Sequence, residues 1–220
     1  MKNKRLQLVA EFIEPENKVA DIGCDHGYLA IYLKKHKNCP VVIASDINEN
    51  ALKVAIKNIA KEKLAQDIPC LLSNGVENLP INKIDTIIIA GMGTHTILNI
   101  LENKKIINLK NIILQSNNEY ELLRLEMNKK GYRLVKEAYI EENHHDYFIM
   151  KYQKGRQKLT ESEIKYGILN QENKRYYEKV LKRKKEILKN IPLLQFHVRK
   201  AIKKEIRLLK ERINQTKKTG

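Results

Sequence analysis

Between residues 18 and 152 the chain alternates short apolar runs with amphipathic stretches, and this alternation restricts its fold more than any other feature. Residues 18–23, 40–45, 70–72, 84–90 and 111–115 read as strands. Between them, residues 28–35, 49–63, a stretch through Leu98 and Leu101, and residues 119–130 read as helices. In the second of these, Leu52, Ala55, Ile56 and Ile59 recur at helical spacing. Strands that alternate with helices predict a parallel sheet covered on both faces. The apolar runs of the first, second, fourth and fifth strands are nearly continuous, as burial on both faces requires. Two closing strands, residues 132–138 and 147–152, follow without a helix between them, and the polar stretch 141–146 joins them. The sheet is therefore expected to end in an antiparallel pair at one edge. Ahead of the first strand, Leu6, Leu8, Val9, Phe12 and Ile13 form a short amphipathic helix.

Charge divides the chain into two parts. Its 220 residues carry a formal net charge of +16. Residues 1–150 hold 20 Lys/Arg against 19 Asp/Glu, and residues 151–220 hold 22 against 7. The composition changes near Lys154-Gly155-Arg156, so two domains are expected, 1–154 and 155–220. In the second, Ile164, Ile168, Val180, Ile187 and Ile191 keep near-helical spacing up to Pro192, and Val198, Ile202, Ile206, Leu209 and Ile213 resume it. Two narrow apolar stripes around a proline turn predict an antiparallel helical hairpin, a coiled-coil arm in which each helix covers the other. A neutral body with a basic appendage suits an extended polyanionic partner. Lys182, Arg183, Lys184 and Lys185 on the first helix, with Arg199, Lys200, Lys203 and Lys204 on the second, are the candidates for its phosphates.

Mean hydropathy is −0.50, and no apolar run approaches the roughly 20 residues of a membrane span. The N-terminal stretch turns acidic at Glu11 and Glu14, which argues against a secretory leader. Cys24, Cys39 and Cys70 are odd in number and lack CxxC spacing, so neither a disulfide framework nor a zinc site is expected, and a cytoplasmic protein is. His144-His145-Asp146 reads as a polar hairpin tip rather than a metal site.

The chemistry gathers at the ends of the strands. Asp21-Ile22-Gly23-Cys24-Asp25-His26-Gly27-Tyr28-Leu29 follows a strand and opens a helix, the context of a nucleotide-binding turn. Gly23 and Gly27 would let backbone approach a ligand. The spacing is not that of a pyrophosphate-binding turn. Asp21 instead suits a ligand that carries an ammonium and a sulfonium, as S-adenosylmethionine does. The second strand ends in Asp46-Ile47-Asn48, where a carboxylate can accept both ribose hydroxyls. The third ends in Asn74-Gly75, whose side-chain amide can read an adenine edge. The fourth ends in Ala90-Gly91-Met92-Gly93, a glycine-rich turn beside the place of a methyl acceptor.

DIGCDHGYL, the AGMGT turn, LQSN after the fifth strand and the basic coiled-coil tail together resemble the bacterial tRNA (adenine-22 N1)-methyltransferases. The resemblance covers essentially the whole chain. It implies a Rossmann-like class I methyltransferase sheet, S-adenosylmethionine as cofactor, and methyl transfer to N1 of adenine 22 of tRNA. The chain departs from the family's pattern at Gly27 and Ala30, at Thr94 (a second glycine there is usual), at Asn74 (usually Asp) and at Ser116 (usually Pro).

Adenine N1 carries an in-plane lone pair, so the reaction requires orientation rather than a covalent nucleophile. Methylation leaves positive charge on the ring. A nearby carboxylate would stabilise that charge or accept the amine proton, and Asp25 is the candidate, with His26 second. Met92 and Tyr28 are candidate walls for a base turned out of its stack. The Asn/Asp-Pro-Pro-aromatic motif of amino-group methyltransferases is replaced by Gly91-Met92-Gly93. Pro69-Cys70, which resembles the nucleophile pair of cytosine C5 enzymes, begins the third strand and reads as core. Two rival functions stay open from the residues alone. One is a methyltransferase of another RNA site, a protein or a small molecule whose arm binds a partner. The other is a non-catalytic RNA adapter, against which the intact Asp21, Gly23 and Asp46 argue.

Overall fold

A computed structural model of the chain describes residues 3–216. Residues 1–2 and 217–220, which fall inside the two expected domains, lie outside the described residues. Helix α1 (Lys4–Ala10) opens at Asn3, whose side chain accepts the Leu6 N–H at 3.0 Å, a cap that satisfies one otherwise orphaned donor. Seven strands follow: β1 (Lys18–Ile22), β2 (Val41–Asp46), β3 (Cys70–Leu72), β4 (Thr86–Met92), β5 (Asn111–Ser116), β6 (Tyr132–Glu142) and β7 (His145–Lys154). They form one sheet in the order β3-β2-β1-β4-β5-β7-β6. The first five are parallel, and β7 runs antiparallel to β5.

Helices α2 (Tyr28–His36), α3 (Glu49–Lys61) and α4 (Thr94–Ile100) lie between parallel strands, and α5 (Tyr120–Lys129) leads from β5 to the closing pair. The α/β architecture is thus the expected one. Ile87, Ile88 and Ile89 of β4 and Ile112, Ile113 and Leu114 of β5 are wholly buried, which is why these strands read as continuous apolar runs. The strand order reverses between β1 and β4, and in open sheets of this kind ligands settle outside the carboxyl ends of the strands at that point.

Three expectations are adjusted. Strand β4 runs past residue 90 to Met92, with an irregular register between Ala90 and Met92. The closing strands are longer than the sequence suggested. Only Asn143 and His144 lie between them, both with positive φ (52° and 64°), as a tight two-residue hairpin turn requires. The first arm helix is not continuous either. It is split into α6 (Glu161–Tyr166) and α7 (Lys174–Asn190). Gly167, at φ 88°, leaves the helical conformation, and the carboxylate of Glu137 accepts the Ile168 N–H at 2.8 Å and an amide N–H of Asn173 at 2.9 Å. The apolar spacing of Ile164 and Ile168 continued through that break, so periodicity alone missed it.

The described residues form two compact units. One comprises the residues up to Lys136 with Ile140–Lys158, and the other comprises Glu137–Tyr139 with the residues from Leu159 onward. The sequence expectation put a single boundary between 154 and 155. In the second unit α7 and α8 (Phe196–Thr216) form a hairpin around Tyr166, Tyr177 and Leu209, with Val180, Leu181, Leu208 and Ile213 packed on them. Arg199 donates to Leu188 O at 3.1 Å, while residues 180–181 share a cluster with 208–209, so the helices run antiparallel. Arg212, buried, donates to the Gly167 carbonyl and, at 3.0 Å, to the Tyr177 hydroxyl. No described helix is long and apolar enough to cross a membrane.

Candidate functional site

The turn after β1 is tied to the end of β2 by backbone. Gly23 N–H and Cys24 N–H both donate to the Ser45 carbonyl, at 2.8 and 2.9 Å. Gly23 stands at φ 73°, and a Cβ there would overlap the Met92 methyl. Glycine is therefore favoured by conformation, while the contact in space is with the movable end of the flexible Met92 side chain. Asp46 is held from two sides. Its Oδ2 accepts the Asp25 N–H at 3.0 Å and its Oδ1 accepts the Asn48 N–H at 2.9 Å. Each oxygen keeps acceptor capacity, so the carboxylate is oriented but not used up.

Asp21 is buried, and no hydrogen bond reaches its carboxylate among the described residues. Burial, with Asp46 nearby, pushes its pKa up to about 7. An anion removed from water without a partner is costly, so this position favours a cationic guest. Cys24, buried in the same turn, has its thiol pKa raised, first by burial and then by Asp21 and Asp46, and it stays protonated.

Two cavities meet at Gly23, Asp46 and Met92. One, of about 400 Å³, extends past Ile47, Asn74 and Gly75 to Thr96 and Asn103. The other, of about 370 Å³, runs from Asp21 past Asp25, His26 and Tyr28 to Ala90 and Gly91. The structure thus gathers most of the residues singled out from the sequence. Three are used differently. Gly27 packs against Ala55 of α3, its Cβ position 3.2 Å from that methyl. Asn48 caps α3 through Asn50 N–H and Ala51 N–H. Gly93 caps α4 without lining either cavity. Asn74 faces the first cavity with its amide donating to Glu77 at 3.0 Å. Ile47 is 67% exposed, an apolar side chain left open beside Asp46.

Asp25 (φ 49°) and His26 lie at the mouth of the second cavity, their side chains solvent-accessible and 3.6 Å apart. Sequence reasoning missed the network beneath them. Gln115 Oε1 accepts the Gly91 N–H at 3.0 Å and Arg5 Nη1 at 2.7 Å, while Asn117 donates to the Gly91 carbonyl at 2.8 Å. Arg5 lies 4.8 Å over the Tyr147 ring. The LQSN tetrapeptide was the available signal for Gln115 and Asn117, whereas Arg5, 110 residues away, had none. Two departures from the family pattern also pair with each other. Thr94 Oγ1 and Ser116 Oγ are 2.8 Å apart, and Thr94 N–H donates to Asn118 Oδ1 at 3.0 Å. A threonine and a serine together thus tie the start of α4 to the end of β5 where glycine and proline are usual.

In the helical unit Lys182, Arg183, Lys185, Lys200, Lys203 and Lys204 are exposed. Lys184 is ion-paired with Glu205, and Arg199 donates to the carbonyls of Leu188 and Ile191 at the end of α7. Those two side chains are engaged in the hairpin itself. His144 lies in the β6–β7 turn, and among the described residues no group of three or more His, Cys, Asp and Glu is placed to hold a metal ion.

Residues 2–150 match the model of a methyltransferase domain family. The chain is 34% identical over 143 residues to the tRNA (adenine(22)-N(1))-methyltransferase of Bacillus subtilis, a match that spans 64% of this chain and 60% of that relative's length. A solved structure from Streptococcus pneumoniae, 30% identical, superposes with a TM-score of 0.83 over 97% of this chain and all of the other. M. capricolum TrmK, solved with S-adenosyl-homocysteine, is 33% identical with a TM-score of 0.77 over 97% of this chain and 98% of its own.

Proposed function

The chain belongs to the methyltransferases, and within them to the family of the bacterial tRNA (adenine-22 N1)-methyltransferases, and from that premise we propose that it methylates N1 of adenine 22 of tRNA with S-adenosyl-L-methionine. The observation that carries this reading is the pair of strand-end carboxylates, Asp21 buried without a partner and Asp46 clamped by two backbone amides. Asp21 suits the ammonium of the cofactor's amino-acid end, and Asp46 suits its ribose hydroxyls. Ile47 offers an apolar wall for the adenine ring, with Asn74 and Gly75 at its edge. When bound, the cofactor supplies a methyl on a sulfonium, already electrophilic enough for transfer.

The work left to the protein is alignment and charge. The target adenine leaves its stack and lies in the second cavity, with Met92 and Tyr28 as its apolar walls. The Asp25 carboxylate, at the mouth of that cavity, stabilises the positive charge that develops on the ring or accepts a proton from its exocyclic amine. His26, 3.6 Å from Asp25, orients that carboxylate. The exposed lysines and Arg183 of α7 and α8 hold the tRNA backbone, and a tRNA substrate together with unpaired cysteines suits a cytoplasmic protein.

Nucleoside mass spectrometry tests the assignment. Unmodified tRNA incubated with the protein and S-adenosyl-L-methionine gains 1-methyladenosine, and replacing adenine 22 by guanine abolishes it. Methylation that survives that replacement moves the target elsewhere on the RNA. No methylation of tRNA, with turnover on a protein or small molecule instead, overturns the reading.

A further inference from the structure

Helix α2 carries a feature that cofactor binding does not use. Tyr28, Tyr32 and His36 stand at intervals of four residues, which places them on one face of the helix. The His26 ring lies 5.6 Å from Tyr28 and the His36 ring 4.7 Å from Tyr32, both pairs tilted. Tyr28 is 53% exposed. These four rings line a groove of about 760 Å³ together with Leu6 and Ile31. Arg5, Lys35 and Lys61 also line it, the Arg5 guanidinium being engaged by Gln115 and Glu142. Lys35 is paired with Glu62, whereas Lys61 makes no ion pair among the described residues. The groove shares Arg5, Leu6, Asp25, His26 and Tyr28 with the smaller cavity that reaches Asp21 and Gly91, so the two are continuous.

A row of half-open rings between cations is poorly explained as packing, since a helix face that serves only solvent needs no aromatic stripe. It is well suited to unpaired nucleotides. Every base has a flat face to stack on a ring, whatever its identity, and the cations meet the phosphates between bases. We infer that this groove binds the unpaired nucleotides next to the methylated one, and that Tyr32 stacks on one of their bases. The inference rests on the RNA-methyltransferase reading above. It adds that the enzyme grips its substrate beside the reacting base as well as through the arm.

The test uses the full chain and whole tRNA. Tyr32→Ala should weaken tRNA binding about tenfold and raise KM for tRNA similarly, with little change in kcat. Cofactor affinity by calorimetry should stay at the wild-type value, which also verifies folding. Tyr32→Phe should restore tRNA affinity, and Tyr32→Leu should not, because it keeps bulk but loses the flat ring. The slope of affinity against salt should be unchanged in Tyr32→Ala and shallower by about one in Lys61→Ala. Wild-type tRNA affinity in Tyr32→Ala, or full rescue by leucine, overturns the groove as a stacking site while leaving methylation of tRNA by the wild type intact. Failure of the wild type to methylate tRNA would instead remove the premise.

Discussion

The sheet unit and the helical unit solve different problems with different materials. In the first, positive and negative charges nearly balance, and the groups that matter sit at strand ends fixed by backbone bonds of about 3 Å, as Asp46 is by Asp25 and Asn48. In the second, 22 cations oppose 7 anions over residues 151–220, and most of the candidate contacts lie on exposed helix faces. A small ligand has to be met by groups placed to within tenths of an ångström, and buried strands supply that rigidity. A long polyanion is attracted over a Debye length, and solvated lysines serve without fixed geometry.

This division can be broken by crossing its effects. The largest is expected on the helical side. Reversing Lys182, Arg183, Lys185 and Lys200 to Glu should weaken tRNA binding on the order of 10²–10³-fold at moderate salt and flatten its salt dependence, measured by filter binding across a salt series. Cofactor affinity should not move. A loss of cofactor affinity in that variant, or unchanged tRNA binding, would end the comparison.

The next effect is on the sheet side. Asp46→Ala removes an oriented acceptor, a loss of roughly 1.5–3 kcal/mol or about 10- to 100-fold in cofactor Kd. Calorimetry should show that weakening, with tRNA affinity retained. If both affinities fall together, the sheet and the arm are not independent.

The smallest effect sharpens the role of burial. Asp21, with its pKa near 7, is protonated in the free protein below that range, whereas a cationic guest requires it ionised. Cofactor affinity should therefore fall as pH drops below about 7, by at most about tenfold per unit. Asp21→Asn should remove that component along with most of the binding. The sign for stability is opposite. The folded-state pKa is above the unfolded one, so the free protein is most stable below the ordinary aspartate range and loses stability as pH rises through about 7. Asp21→Asn should raise Tm more at pH 8 than at pH 5. An equal shift at both pH values would mean that Asp21 is ionised at both.

Much of the sheet was legible because burial leaves a direct trace. Continuous runs such as Ile87-Ile88-Ile89 can be strands with both faces covered, and glycine-bearing turns at their ends mark the crevice. What stayed hidden depends on partners far away in the chain. Nothing local tells Arg5 that Gln115 will accept from it. The Glu137 carboxylate that ends α6 at Gly167 comes from a strand some 30 residues earlier, so a spacing argument ran straight through the break. The α2 ring face was written in the sequence at positions 28, 32 and 36, yet helical periodicity cannot distinguish rings turned toward the core from rings turned toward a groove.

Glu137–Tyr139 lies in β6 by sequence and belongs to the helical unit by packing. During synthesis these three residues emerge well before the segment around Gly167 that they hold, so Glu137, ultimately 1% exposed, first waits in water without its amide donors. The helical unit is consequently not a cassette. Cutting the chain at any single peptide bond leaves either the strand without its partners or the hairpin without its seat. A transplant of the arm onto another methyltransferase would have to carry residues 137–139 of this chain's own edge strand with it.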